Sequence, residues 1–240
     1  MTLALTSMYP SIVCFGDSQT QYANGPGGFI ASLAHAYQRK ADVFNRGFSG
    51  YTTRQALFVA RQLFCQSPHA AIVNVRAVII WLGCNDSIQK GQEQHVPPEE
   101  FRSNLSSILD IVAAEPANAT SATCPPPYIL LLGATPVTQR AFHDNKAKQE
   151  YMTIVGEIAR DARYSSKVDY IDMYSLFTTA AEPVADLLDS DGLHMSPRGY
   201  EVIFDAVFKQ LRQQDGLEPS GMRLQFPDWK SFDTDATAEL

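Results

Sequence analysis

The chain has 240 residues with 45% hydrophobic and 19% charged side chains, a balance that suits one α/β domain able to bury a full core. Its formal net charge of −7 repels phosphate backbones, and no basic run marks a membrane surface, so neither nucleic acid nor a membrane is expected as a partner. No stretch approaches the roughly 18 apolar residues that a transmembrane helix requires.

The opening MTLALTSMYPSIVCF lacks the basic n-region of a secretory signal, and Ser7 and Pro10 interrupt its apolar part. The expectation is a leaderless, cytoplasmic protein whose first apolar run, residues 12–15, is a buried strand. Gly16-Asp17-Ser18 is the turn that leaves this strand, and Ser18 there is either a nucleophile or the cap of the next helix. Residues 27–39 carry apolar positions at helical spacing, and 42–47 form a second, short strand. Residues 52–64 are helical, with Ala56, Leu57, Val59, Ala60 and Leu63 on one face. AVIIWLG, 77–83, is the clearest buried strand: β-branched, continuous and stopped by glycine.

Pro97-Pro98-Glu99-Glu100 starts a helix that runs on through Phe101, Leu105, Ile108 and Leu109, with proline in its first turn and acids at the positive end of its dipole. The Ala/Thr/Pro stretch 114–127 reads as a surface loop. YILLLGATP, 128–136, is a fourth strand, 145–162 a helix and VDYIDM, 168–173, a fifth strand. Ser196-Pro197 are the N-cap and first residue of a last helix ending near Leu211. Beyond it, Phe226-Pro227-Asp228-Trp229 is an aromatic cluster expected to pack back on the domain. Strand and helix alternate about five times, which predicts a mostly parallel five-stranded sheet covered by helices on both faces, a three-layer α/β/α sandwich. The whole chain, 1–240, is expected to be one domain, with a core over 11–211 and a tail over 212–240.

In an open parallel sheet, sites form beyond the carboxyl ends of the strands. Ser18 follows the first strand. Asn45, Gly47 and Gly50 follow the second, and Gly83, Asn85 and Asp86 the third. Asp191 and His194 come after the fifth, past a short helical passage. A serine, a glycine turn, an asparagine, an acid and a histidine on one sheet edge are the inventory of acyl transfer. A serine hydroxyl needs a base, and His194 is the candidate because imidazole titrates near neutral pH. Asp191 would hold its tautomer and stabilise its charge. The backbone N–H groups of Ser18 and Gly50 and the side-chain amide of Asn85 come from three adjacent strand ends and would form the oxyanion hole.

Gly16-Asp17-Ser18, Gly50 after Asn45-Arg46-Gly47, Gly83-x-Asn85-Asp86 and Asp191-x-x-His194 resemble, in order, the four blocks of the GDSL, or SGNH, hydrolases. FGDSQTQ, RGFSGYTTRQA, WLGCND and DGLHMSPRGY are similar to the isoamyl acetate-hydrolysing esterase branch, over roughly residues 12–211, and Phe226-Pro227-Asp228-Trp229 is similar to tails in that branch. The family's leucine after Gly-Asp-Ser is Gln19 here. The resemblance implies a flavodoxin-like hydrolase fold, a catalytic Ser18, His194 and Asp191, an oxyanion hole of Ser18, Gly50 and Asn85, and no metal.

Each block also has a plainer reading. Ser18 could be only a helix cap, and Asn85 a turn residue closing the third strand. Asp17 reads as a turn carboxylate rather than a second catalytic acid, and Asp86 as a residue that stiffens its loop. His35 reads as a surface histidine, and His69 and His95 sit beside prolines in loops. His143, after the fourth strand, could line a pocket. Cys14, Cys65, Cys84 and Cys124 have no ligand spacing and read as reduced thiols. With no His-x-x-x-His, no Asp-rich ligand set and no GxGxxG, neither metal nor dinucleotide cofactor is expected.

The expected function is a serine esterase, monomeric or homodimeric, that hydrolyses small short-acyl, acetate-type esters through an acyl-enzyme on Ser18. The acyl preference comes from the resemblance alone. The alternatives are a deacylase or acyltransferase working on a larger metabolite or acetylated carbohydrate, and a catalytically silent binding protein.

Overall fold

The structure, a computed structural model, describes residues 9–64, 74–114, 126–164, 167–224, 226 and 228–231. Five strands form one sheet: β1 (Ser11–Gly16), β2 (Asp42–Gly47), β3 (Val75–Trp81), β4 (Tyr128–Leu132) and β5 (Val168–Ile171). Their order is β2-β1-β3-β4-β5 and every pairing is parallel. The chain steps from β1 outward to β2, then crosses back to β3 on the other side of β1. That reversal opens a crevice at the carboxyl ends of β1 and β3, the place where such sheets hold ligands.

Side chains alternate across the strands and are buried on both faces, as expected of a sheet covered on both sides. Ile12, Cys14, Ile79, Trp81, Leu130 and Leu132 pack with α2 (Phe29–Ala36) and α8 (Pro197–Arg212). Val13, Phe15, Val78, Ile80, Ile129 and Leu131 pack on the other face with α3 (Thr53–Leu63), α4 (Pro98–Ala113) and α5 (Asn145–Ala159). The three layers are those expected from the alternation of strand and helix.

Local chemistry sets the helix starts. Thr52 and Gln55 form a capping box at α3, Pro98 with Glu99 and Glu100 opens α4, and the Ser196 hydroxyl accepts from Gly199 N at 3.1 Å to cap α8. Element ends differ from expectation by a few residues. β4 and β5 stop together at the Leu132–Ile171 pair rather than at Pro136 and Met173. Asp172 Oδ1 accepts from Ser175 N at 2.8 Å, which caps α6 (Met173–Thr178) and makes Met173 helical. The helix expected over 27–39 is only α2, since Gly28 and Tyr37 are its caps. The passage before Asp191 contains α6 and a further short helix, α7 (Val184–Leu187).

After α8 the chain folds back on α2. The Tyr37 hydroxyl donates to the Leu217 carbonyl at 2.7 Å, and Leu217 is buried. Arg39 donates to the Phe226 carbonyl at 3.1 Å, and the Phe226 ring lies 6.4 Å from that of Tyr9. The aromatic cluster is not buried as expected: Phe226 leans on Tyr9 yet is 46% exposed, and Trp229, in the short turn at Trp229–Ser231, is 78% exposed. Pro227, most of the loop 114–127, Cys65, Cys124 and His69 lie outside the described residues. Among the described residues no helix is long and apolar enough to cross a membrane.

Candidate active site

β1 ends in glycine because nothing larger fits. A Cβ on Gly16 would lie 2.3 Å from Thr20 Oγ1 and 2.3 Å from the Trp81 carbonyl oxygen. The chain then turns through Asp17 into α1 (Ser18–Gln21), a four-residue helix whose first residue is Ser18. Asp17 Oδ1 accepts from Gln19 N at 2.9 Å, so the turn-carboxylate reading of Asp17 holds. Asp17 is fully buried, and burial pushes its carboxyl up to about 7, against the Gln19 N–H and the nearby Lys148 ammonium, which pull it down.

The loop before α8 brings the base to this turn. Asp189 N donates to the His194 carbonyl at 2.7 Å, and Leu188 and Met195 form an antiparallel bridge, which closes the loop at its neck. Gly192, at φ +69°, forms its tip against Thr138, whose N–H donates to the Gly192 carbonyl at 2.9 Å. Asp191 Oδ1 accepts from Leu193 N at 3.0 Å and from His194 N at 2.9 Å. Asp191 Oδ2 is 2.6 Å from His194 Nδ1, and His194 Nε2 is 2.9 Å from Ser18 Oγ. Burial works to raise the Asp191 carboxyl, but the His194 and Leu193 N–H groups and the imidazole outweigh it and hold the group below its ordinary value. It stays ionised and orients an imidazole that is within proton-transfer distance of a serine hydroxyl.

The third and second strand-end loops meet beside this chain of groups. Asn85, which is buried, donates through Nδ2 to the Tyr51 carbonyl at 2.8 Å. That engages one of its two amide hydrogens and, among the described residues, leaves the other without an acceptor. The neighbouring Gly50 is held by Gln94, which donates to its carbonyl at 2.7 Å. Among the described residues, no acceptor engages the backbone N–H of Ser18 or of Gly50. Asp86 stiffens the Asn85 loop as expected: its Oδ1 accepts from Thr53 N at 2.9 Å and Thr53 Oγ1 at 2.5 Å, tying the loop to the first residue of α3. Burial pushes the Asp86 carboxyl up to about 6, although the Thr53 hydrogen bonds lower it.

Of the five residues expected to form the site, Ser18, His194 and Asp191 are joined by direct hydrogen bonds. Asn85 and Gly50 meet in the adjoining loops through the Tyr51 carbonyl. His143 lines an open pocket of ≈ 540 Å³ with Val137, Arg140 and Asn145. Burial first, then Lys148 and Arg140, pushes its imidazole down to about 4. His35 is exposed, and His95 Nδ1 is 2.8 Å from the Ile88 carbonyl, away from Ser18. Cys14 and Cys84 are free and buried, and burial raises both thiols. Among the described residues no three His, Cys, Asp or Glu side chains gather as a ligand set.

Three neighbours of the site were not anticipated from sequence. The Tyr22 ring stands edge-on to the His194 imidazole with centroids 5.0 Å apart, and its hydroxyl is 3.3 Å from Ser49 Oγ. Tyr22 is four residues after Ser18, so the two share a face once α1 is known to be helical. Arg140 approaches Asp191 Oδ2 at 3.7 Å, a contact between distant loops with no local signal. Lys148 has no exposed surface. Its signal was its place three and four residues before Tyr151 and Met152 on the buried stripe of α5.

A family model, described as the GDSL-like lipase/acylhydrolase family, matches residues 14–202. The chain is 33% identical over 240 residues to the isoamyl acetate-hydrolyzing esterase 1 homolog of Bos taurus, covering 97% of this chain and 92% of that protein. It is 28% identical over 232 residues to the isoamyl acetate-hydrolyzing esterase of Schizosaccharomyces pombe, covering 92% of this chain and 83% of that protein. Its fold is similar to that of the lipase/acylhydrolase from Enterococcus faecalis, with a TM-score of 0.66 at 18% identity, over 91% of this chain and 100% of that one. It is also similar to an acetylxylan esterase from Geobacillus stearothermophilus, with a TM-score of 0.61 at 20% identity, over 84% and 93% of the two chains. The four expected sequence blocks lie on the matched segment, and the parallel sheet ends in the crevice that holds them: the chain belongs to the GDSL-like lipase/acylhydrolase family of ester hydrolases.

Proposed function

We propose that this member of the family hydrolyses small acetate-type esters through an acyl-enzyme on Ser18. The observation that carries the proposal is the hydrogen-bonded chain from Ser18 Oγ to His194 Nε2 at 2.9 Å and from His194 Nδ1 to Asp191 Oδ2 at 2.6 Å. Ser18 Oγ attacks the ester carbonyl carbon while His194 Nε2 takes its proton. The carbonyl oxygen becomes an oxyanion, stabilised by the N–H groups of Ser18 and Gly50 and the second amide hydrogen of Asn85. Asp191 stabilises the imidazolium. Collapse of the intermediate breaks the bond to the alcohol oxygen, which receives the proton from His194. Water then attacks the acyl-enzyme with His194 as base, releasing the acid and restoring Ser18.

The acetate preference rests on the names of the bovine and yeast relatives. The same proposal takes residues 1–240 as one hydrolase domain, monomeric or homodimeric. Its cytoplasmic placement rests on the two buried, unpaired thiols Cys14 and Cys84, which suit a reducing compartment.

The test is hydrolysis of a p-nitrophenyl ester series from about two to about twelve acyl carbons, together with labelling by a fluorophosphonate. A steep fall in kcat/KM beyond about four carbons and labelling of Ser18 alone are expected. Preference for long chains would replace the acetate assignment with a lipase-like one. Labelling of another serine, with Ser18→Ala still active, would remove Ser18 as the nucleophile.

A further inference from the structure

The residue that follows Ser18 is a glutamine with no exposed surface. Burying an amide without partners is costly, and this one is directed at the loops of the site. Gln19 Nε2 donates to the Leu193 carbonyl at 3.0 Å, one residue before His194. It also lies 3.6 Å from Cys84 Sγ, one residue before Asn85. The Gln19 backbone carbonyl accepts from the Tyr200 hydroxyl of α8 at 3.0 Å. Cys84 is itself fixed from the other side, since Lys148 of α5 donates to its carbonyl at 3.3 Å and lies 3.5 Å from its Sγ.

Two details separate this arrangement from simple core filling. The Gln19 Oε1 is buried and has no hydrogen-bond partner among the described residues, so the amide is present despite a cost that an apolar side chain would avoid. The loop carrying His194 is otherwise held by hydrogen bonds at its own neck and to Thr138, by the Arg140–Asp191 ion pair and by packing of Leu193 with Cys84 and Val137, and among the described residues none of these is a hydrogen bond to the turn of Ser18. Apart from the bond between His194 and Ser18 themselves, the Gln19 amide is the one side-chain hydrogen bond among the described residues from residues 17–21 to that loop.

We propose that Gln19 is a positioning residue for the esterase reaction: by holding the Leu193 carbonyl, its amide keeps His194 Nε2 in register with the Ser18 hydroxyl. The inference rests on the reading of Ser18 and His194 as nucleophile and base. Proton transfer needs the two atoms within hydrogen-bond reach, and a displacement of about 1 Å costs on the order of 10²-fold in rate. A direct tie between the turn of the nucleophile and the backbone of the base limits that displacement.

Two variants test it, each with p-nitrophenyl acetate kinetics and fluorophosphonate labelling. Gln19→Met keeps the length of the side chain and removes its hydrogen bonds. Its kcat and its labelling rate should both fall about 10- to 100-fold, with KM within about threefold of wild type. In Gln19→Glu only the protonated carboxyl can donate to the Leu193 carbonyl. Relative to wild type, its activity should be retained at low pH and fall as the carboxyl ionises, adding an alkaline limb that the wild type lacks. The titratable and charged groups around residue 19 are Asp17, Cys84, Lys148, His194 and Tyr200. All are common to both proteins, so a new limb belongs to residue 19.

A wild-type protein that neither hydrolyses the ester nor labels at Ser18 would sink the functional reading. An active wild type beside a folded Gln19→Met of unchanged kcat, or a Gln19→Glu profile parallel to that of the wild type, overturns the role of Gln19. Should Gln19→Met fail to fold, the isosteric Gln19→Glu still decides.

Discussion

Asp191 divides its carboxylate between the backbone and the ring of His194: Oδ1 accepts the His194 N–H at 2.9 Å while Oδ2 meets Nδ1 at 2.6 Å. One oxygen therefore shapes the loop, and the other sets which ring nitrogen faces Ser18. A single side chain acts on both the position and the tautomer of the proposed base.

This division orders the effects of removing each group. His194→Ala leaves nothing to take the Ser18 proton, and kcat should fall by about 10⁴- to 10⁶-fold. Asp191→Ala leaves an imidazole without tautomer control, and its loss should be smaller by roughly one to two orders of magnitude. The double variant should be little worse than His194→Ala alone, because both residues serve one proton transfer. The measurement is kcat and KM for both single variants and the double. A silent Asp191→Ala would mean that another group orients the ring, and a double loss equal to the product of the single losses would mean that the pair does not act as a unit.

The tip of the same loop gives a second expectation. Gly192 sits at φ +69°, and a Cβ there would lie 2.4 Å from the Thr138 carbonyl oxygen, a rigid backbone atom. Gly192→Ala must therefore shift the loop or open its contact with residue 138. Since Asp191 and His194 flank that tip, kcat should drop at least about tenfold while global stability falls by about 1–3 kcal/mol. Urea unfolding and steady-state kinetics on the same preparation check both. Wild-type kcat in a folded Gly192→Ala would show that the loop tolerates the displacement.

We expect Tyr22 to form a wall of the substrate site. Its ring, 47% exposed, stands edge-on to the His194 imidazole, and its hydroxyl reaches Ser49 next to Gly50. Tyr22→Phe should keep most activity, because the ring contact remains. Tyr22→Ala should lower kcat/KM by about 2- to 10-fold, in line with an aromatic contact of about 0.5–1.5 kcal/mol. It should also change the ranking of esters that differ only in the alcohol. An unchanged ranking would remove Tyr22 from the substrate-facing wall.

How legible these features were depended on range. The buried strands were plain because residues covered on both faces read as unbroken apolar runs, Val78 to Trp81 most clearly. Ser196 and Pro197 announced α8 through chemistry local to its first turn. Ser18, Asn85, Asp191 and His194 stood out because a strand-end rule put them on one edge. Tyr22 was hidden because a helix of four residues has no period to detect. Lys148 was hidden because a charged residue reads as solvent-facing, and only the packing of α5 beneath the Asn85 loop buries it. Gln19 was visible as a departure from the family block, but its partner Leu193 is 174 residues away, a contact that only the assembled sheet creates.

The buried Asp17 makes a prediction about pH. Its carboxyl is pushed up to about 7 in the fold, chiefly by burial, and would titrate near 3.9 in the unfolded chain. Between those values the native protein holds a proton that the unfolded chain has released. Rising pH therefore works against the fold from about pH 4 to about pH 7, and the penalty levels off above that. His143 acts with the opposite sign: pushed down to about 4 by burial, it makes stability rise between about pH 4 and its ordinary value near 6.5. Asp86, pushed up to about 6 by burial, acts with the same sign as Asp17; comparing Asp17→Asn with the wild type at each pH cancels the contributions that His143 and Asp86 make alone and leaves that of Asp17 with its coupling to Asp86. Asparagine keeps an oxygen to accept the Gln19 N–H but buries an amide in place of Oδ2, an offset of about 1–3 kcal/mol that does not vary with pH. The stability difference between variant and wild type should thus shift in favour of Asp17→Asn as pH rises from about 4 to about 7, by a total on the order of a few kcal/mol, and stay constant above. Urea unfolding of both proteins from about pH 4.5 to 8.5 measures it. Parallel stability curves over that range would mean that Asp17 ionises in the fold as it does in water, with its charge already matched by Lys148 and the Gln19 N–H.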